Sequence, residues 1–181
     1  MTIFRVQLSV CVNHIIKHDF PGRWPQVVDN ISIYLQNPDI SGWNGALVTM
    51  YQLVKTYEYK RAEERGPLNE AMNLLLPMIY QLMLTLMNNQ TEQSVLMQKQ
   101  ILKIYYALTQ FSLPLELITK EMFSQWMEIC RQIADSPVPD CSHLEDDEKP
   151  EFPWWKTKKW ALHIMVRMFE RYVNIKIFIK Q

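Results

Sequence analysis

Glycine and cysteine are scarce in this sequence of 181 residues, at 4 and 3 respectively. So few glycines leave little means of wrapping a phosphate in backbone amides, and no GxGxxG, GxSxG or P-loop string occurs. Cys11, Cys130 and Cys141 are widely spaced and form no CxxC pair, which points away from a disulfide framework or zinc site and toward a reducing compartment. The histidines, His14, His18, His143 and His163, are far apart and include no HExxH spacing. With no converging catalytic set, the reading is of a protein that is not an enzyme and takes no cofactor and no metal.

Charge of one sign is missing too. The 19 basic and 19 acidic residues cancel to a formal net charge of +0, so there is no general electrostatic footprint for nucleic acid and no direct nucleic-acid partner is expected. The longest greasy run, Leu74 to Met87, is short and interrupted by Pro77 and Gln81, so no membrane insertion is expected. The N-terminal stretch spreads its polar residues at helical spacing and lacks the block structure of a signal peptide. Asn30-Ile31-Ser32 and Asn89-Gln90-Thr91 match a glycosylation triplet, a match read as chance in a reducing compartment.

What is present is 48% apolar residues arranged at steps of three and four. This predicts about seven helices, near Phe4–Lys17, Pro25–Leu35, Trp43–Tyr59, Leu68–Met87, Glu92–Phe111, Thr119–Asp135 and Trp154–Tyr172. Pro25 suits a first helical turn and Thr91 an N-cap, while Pro77 predicts a kink inside the fourth helix. The expected inward stripes include Leu8, Cys11, Val12 and Ile15 in the first helix, and Ala71, Met72, Leu75, Ile79, Met83 and Leu86 in the fourth. For the fifth they include Val95, Ile101, Leu102, Tyr105 and Leu108, and for the seventh Leu162, Met165, Val166, Phe169 and Tyr172.

Such a row of helices suits either a closed bundle or an open solenoid. Breaks of alternating character suggest pairs of helices two and three, four and five, six and seven, with the first left over. Phe20, Tyr59, Phe111 and Tyr172 mark pair ends at a loose period that starts near the 40 or so residues of a HEAT repeat. The fold reading is therefore all-α, a right-handed α-solenoid of HEAT-type helix pairs over residues 1–173, with 174–181 as a divergent tail.

Two charged features are candidates for protein binding. The run Glu145, Asp146, Asp147, Glu148 lies in the only long loop, residues 136–153, and could steer a basic partner. Lys156, Arg167 and Arg171 recur with His163 toward one face of the seventh helix and could meet an acidic partner or pair with the acidic loop. Methionines such as Met72 and Met165, and the tryptophans at helix starts, read as packing residues.

Specific strings add to this. Ile15-Ile16-Lys17-His18-Asp19-Phe20-Pro21-Gly22-Arg23-Trp24-Pro25 resembles the turn that joins helices in importin-beta superfamily receptors, in which two prolines close one helix and open another while Phe20 and Trp24 plug the corner. The stretches Tyr51–Tyr59, Gln98–Leu108 and Trp154–Ile164 look like the importin-seven/importin-eight branch of that superfamily. The resemblance runs from about Arg5 to Tyr172 and stops at Val173–Gln181, so it implies an internal or truncated segment. It implies HEAT repeats, transport between cytoplasm and nucleus, including the nuclear envelope region, and basic cargo such as ribosomal proteins or histones. Binding of the small GTPase Ran in its GTP form, and of phenylalanine-glycine nucleoporins, is implied as well, with the main Ran surface placed before residue 1. A helical scaffold without GTPase-linked cargo release is the alternative.

Overall fold

The apolar period of three to four residues is realised as seven α-helices in the computed structural model, which describes residues 3–38, 40–111 and 113–172. They are α1 (Ile3–Asp19), α2 (Val27–Gln36), α3 (Ile40–Tyr57), α4 (Gly66–Met87), α5 (Glu92–Thr109), α6 (Lys120–Asp135) and α7 (Pro153–Tyr172). Short 3-10 turns occupy Ala62–Glu64 and Lys149–Glu151, and there is no strand among the described residues. The tail at 174–181 lies outside them.

Local chemistry sets the helix starts. The Thr91 hydroxyl accepts from the Ser94 N–H at 3.3 Å, and Thr119 does the same for Met122 at 3.2 Å, each satisfying an otherwise orphan donor of a first turn. Pro25 instead lies in the turn before α2, which begins at Val27. α3 starts at Ile40, a turn earlier than expected, and the Trp43 indole donates to the Asn37 carbonyl at 2.7 Å across the break. Gly42 in that added turn lets α2 come close: a Cβ there would stand 3.1 Å from Cδ1 of Tyr34. α4 runs from Gly66 to Met87 with Pro77 inside it.

The chain forms two compact units, Met1–Asn88 and Asn89–Gln181. In the first, α1 packs beside α3, α2 beside α4, and α2 also packs on α3, so helices alternate between two layers. In the second, α5 packs beside α7, and α6 packs on α7. Neighbours in sequence pairing and next-but-one helices lying side by side is the HEAT-type arrangement, so the all-α, HEAT-type expectation holds within each unit. Pairs two–three and six–seven are present, whereas helices four and five fall in different units.

Leu47, Met50, Leu53 and Val54 of α3 are fully buried, as are Met72, Leu75, Ile79 and Met83 of α4. In the second unit Ile101, Leu102, Tyr105 and Leu108 of α5 join Trp126 and Cys130 of α6 and Ala161 and Ile164 of α7. Trp126 stacks on Tyr105 with centroids 4.3 Å apart and planes at 18°. Each buried Leu or Ile contributes about 1.5–3 kcal/mol, against at most about 1 kcal/mol for exposed ion pairs such as Lys60–Glu64, so apolar packing decides stability here. By length and apolarity α4 could cross a bilayer. It carries no acidic or basic residue in its terminal turns, yet its apolar stripe from Leu68 to Leu86 is buried within the protein.

Two stripes were misplaced by the sequence pattern. In α1, Leu8 and Ile15 are exposed at 49% and 45% and Cys11 is exposed, while Ile16 is fully buried. In α7, Leu162, Val166 and Phe169 are exposed, and Thr157, Ala161, Ile164 and Met168 are buried instead. The reason is the same in both: the helix meets its unit along one narrow face, and in α7 that face uses small side chains to come close to α5. The greasier seam lies on the far side.

Candidate functional site

The acidic run is part of a turn-rich connection between α6 and α7. The Glu148 N–H donates to the Glu145 carbonyl at 3.0 Å, and the Glu145 N–H donates to the Glu148 carboxylate at 3.3 Å, folding the run into a single tight turn. Glu145, Asp146, Asp147 and Glu148 are all exposed. One cation answers them within the turn, Lys149, whose ammonium donates to Asp146 at 2.6 Å. The turn thus displays more negative charge than its own lysine neutralises, close enough together to be felt as one patch within a Debye length of about 8 Å at physiological salt.

The α7 cations expected to share a face are held separately. Lys156 forms an ion pair with Glu151, in the 3-10 turn just before the helix. Arg167 lies 3.7 Å from the Glu170 carboxylate. Arg171 donates to the Phe111 carbonyl at 2.5 Å and stands 5.7 Å from the centre of the Phe111 ring. Among the described residues the partners of these three are Glu151, Glu170 and Phe111 and not the acidic run, and Arg171 is committed to fastening α7.

The corner at Phe20–Pro25 belongs to the first unit. Phe20 is half-buried and meets Tyr57 of α3 edge-on with centroids 6.2 Å apart. The N–H groups of Arg23 and Trp24 both donate to the Asp19 carbonyl, closing the end of α1, and the Phe20–Pro21 peptide is cis. Pro21 and Pro25 are exposed. Trp24 lines an open groove of about 380 Å³ along α2 and α3, with Tyr34, Gly42, Gly45 and Thr49 among its other walls. Among the described residues no group of three His, Cys, Asp or Glu side chains is placed to hold a metal. Cys130 is fully buried, and burial pushes its thiol up to about 12, the opposite of an activated nucleophile.

The comparison with known proteins bears on all of these features. Over 171 residues, 94% of this chain, the sequence is 55% identical to mouse (Mus musculus) importin-8, and the human (Homo sapiens) importin-8 matches at the same identity and span. The sequence belongs to the importin family. An importin beta-like SAD2 homolog of Arabidopsis thaliana is 31% identical over 178 residues, 97% of this chain. The chain spans 17% of the mouse importin-8 and 16% of the human one. No family model matches the sequence, and no solved structure matches it. The matches cover the corner, the acidic turn and α7, so each belongs to importin-type sequence, and the family is one of nuclear transport receptors.

Sequence reasoning also overlooked residues that the fold gathers. Lys99 and Lys103 of α5 come to the same face as Lys156, Lys159 and Trp160 of α7. The signal available was the one-turn spacing of Lys99 and Lys103, but their partners on α7 are far along the chain, and only packing brings them in.

Proposed function

We propose that this importin-family chain works in protein import into the nucleus by binding cargo, and that the exposed acidic turn Glu145–Glu148 engages a basic cargo such as a ribosomal protein or histone. The observation that supports this reading is the turn itself: four adjacent carboxylates with one local counter-ion, carried between two packed helices, α6 and α7. Ran in its GTP form and phenylalanine-glycine nucleoporins are the further partners, and the protein moves between cytoplasm and nucleus, passing the nuclear envelope.

Two titrations test this. The 181-residue chain binds Ran loaded with a non-hydrolysable GTP analogue more tightly than Ran with GDP; equal binding to both, from a chain shown to be helical, would remove the GTPase from the proposal. With a histone-tail peptide as probe, replacing Glu145 and Glu148 by Gln and Asp146 and Asp147 by Asn weakens binding about tenfold at low salt and flattens its salt dependence. Unchanged affinity at low salt would sink the acidic turn as the cargo contact.

A further inference from the structure

The α5–α7 face of the second unit concentrates positive charge. Lys99 and Lys103 lie one turn apart on α5, and Lys156, Lys159 and His163 lie along the neighbouring α7. Aromatic rings floor this face: Trp160 meets Tyr106 edge-on at 5.4 Å, His163 meets Trp160 at 5.6 Å, and the Lys103 ammonium stands 5.9 Å from the centre of the Trp160 ring. Among these lysines one carboxylate is already seated. Glu151 accepts a hydrogen bond from Lys156 and feels the charges of Lys159 and Lys99, which together hold its carboxyl below the usual range. Lys99 is half-buried, and burial followed by the charge of Lys156 holds its ammonium below the ordinary value despite Glu151. Lys99 lies one turn before Lys103 on α5, and Lys156 one turn before Trp160 on α7; with Lys103 standing over Trp160 and the two helices packed side by side, Lys99 and Lys156 share this face with Glu151, an arrangement that further negative charge would relieve.

We propose that the face bearing Lys99, Lys103, Lys156 and Lys159 is a docking surface for an acidic peptide segment, with Glu151 occupying one of its carboxylate positions. This surface is distinct from the acidic turn and opposite to it in sign, and it does not depend on the GTPase or the cargo proposed above.

A peptide suits the face better than a nucleic acid for three reasons. The cations are all lysines, point charges without the planar fork that Arg offers to phosphates. The Trp160 ring is engaged by Tyr106, His163 and Lys103 and so is not an open platform for stacking a base. The chain as a whole has a formal net charge of +0, so attraction is local to this face.

The test is fluorescence anisotropy of a labelled ten-residue oligoglutamate with the full chain, at about 50 mM and 300 mM salt. Binding is expected at low salt and is weakened by high salt. K159Q, a change at an exposed position that leaves the fold alone, weakens it about twofold to threefold, and K99Q with K159Q about tenfold. K120Q, removing an exposed lysine on α6, leaves binding within twofold. E151Q tightens binding, because it removes the carboxylate that already neutralises part of the face, and unchanged or weaker binding by E151Q would show that Glu151 occupies no ligand position. Absence of oligoglutamate binding at low salt, equal binding by wild type and the K99Q and K159Q double variant, or tighter binding of a single-stranded oligonucleotide of equal charge would each overturn the proposal.

Discussion

Within the second unit, α5 and α7 lie side by side and obey different rules. α5 is buried nearly all round, with Val95, Met97, Ile101, Leu102, Ile104, Tyr105 and Leu108 inside and even Ser94, Gln98, Gln100 and Thr109 covered. α7 is buried along one seam, Thr157, Ala161, Ile164 and Met168, and leaves Leu162, Val166 and Phe169 in water, the last at 68% exposure. An apolar stripe therefore has two meanings. On a wrapped helix it marks the core, and on a helix that closes a unit it marks a face that its own unit does not cover.

Substitutions along the two helices separate these two meanings. The largest effect is expected where α5 meets α6: Trp126→Ala removes the ring stacked on Tyr105 and lowers stability by about 3–5 kcal/mol in a denaturant titration. Next, Leu102→Ala on α5 costs about 2–5 kcal/mol, as a fully buried side chain leaving a cavity. A loss under about 1 kcal/mol at either position would contradict the packing described.

Alkaline pH acts more gradually, by a smaller step for each pH unit. Cys130 ionises at about 12 in the folded chain against an ordinary 9.0, so its contribution is fully present below pH 9 and lost as pH rises toward about 12. Stability measured against pH should fall across that window by on the order of 1 kcal/mol per pH unit, and Cys130→Ala should abolish that part of the slope. On α7, Thr157→Val removes the hydroxyl whose one proton is shared between the Val95 carbonyl at 3.2 Å and the Pro153 carbonyl at 2.9 Å, costing about 1 kcal/mol. Smallest of all, Leu162→Ser and Phe169→Ser on the exposed seam should change unfolding free energy by no more than about 0.5 kcal/mol. If either costs as much as Leu102→Ala, the seam is core after all.

How far the fold was legible follows the same division. The stripe expected for α4, from Ala71 to Leu86, and that for α5, from Val95 to Leu108, are buried as read, because those helices are covered on the faces where their large apolar residues lie. The stripes of α1 and α7 were read from the wrong side, because single-sequence periodicity ranks faces by greasiness and cannot see that Ala161 and Thr157 win a close approach by being small. In α2, Tyr34 lies against Gly42 of α3 and remains half in water, a placement that depends on the absence of a side chain on another helix. The acidic turn was visible as a run of letters, since its members are adjacent in the chain. The lysine face was not, since Lys99 and Lys156 become neighbours only after α5 and α7 pack.

The fastening of α7 has a consequence for mutational drift. Three of its side chains grip main-chain carbonyls: Thr157 that of Val95, Lys158 that of Ala134 at 2.6 Å, and Arg171 that of Phe111. Every residue type offers the same carbonyl, so an exchange at 95, 111 or 134 leaves the acceptor in place, although at 111 it removes the ring beside Arg171 and at 95 a buried side chain. For the hydrogen bonds themselves the burden of inheritance falls on the donors, and a lineage that loses Thr157, Lys158 or Arg171 cannot restore them by a change of side chain at the acceptor.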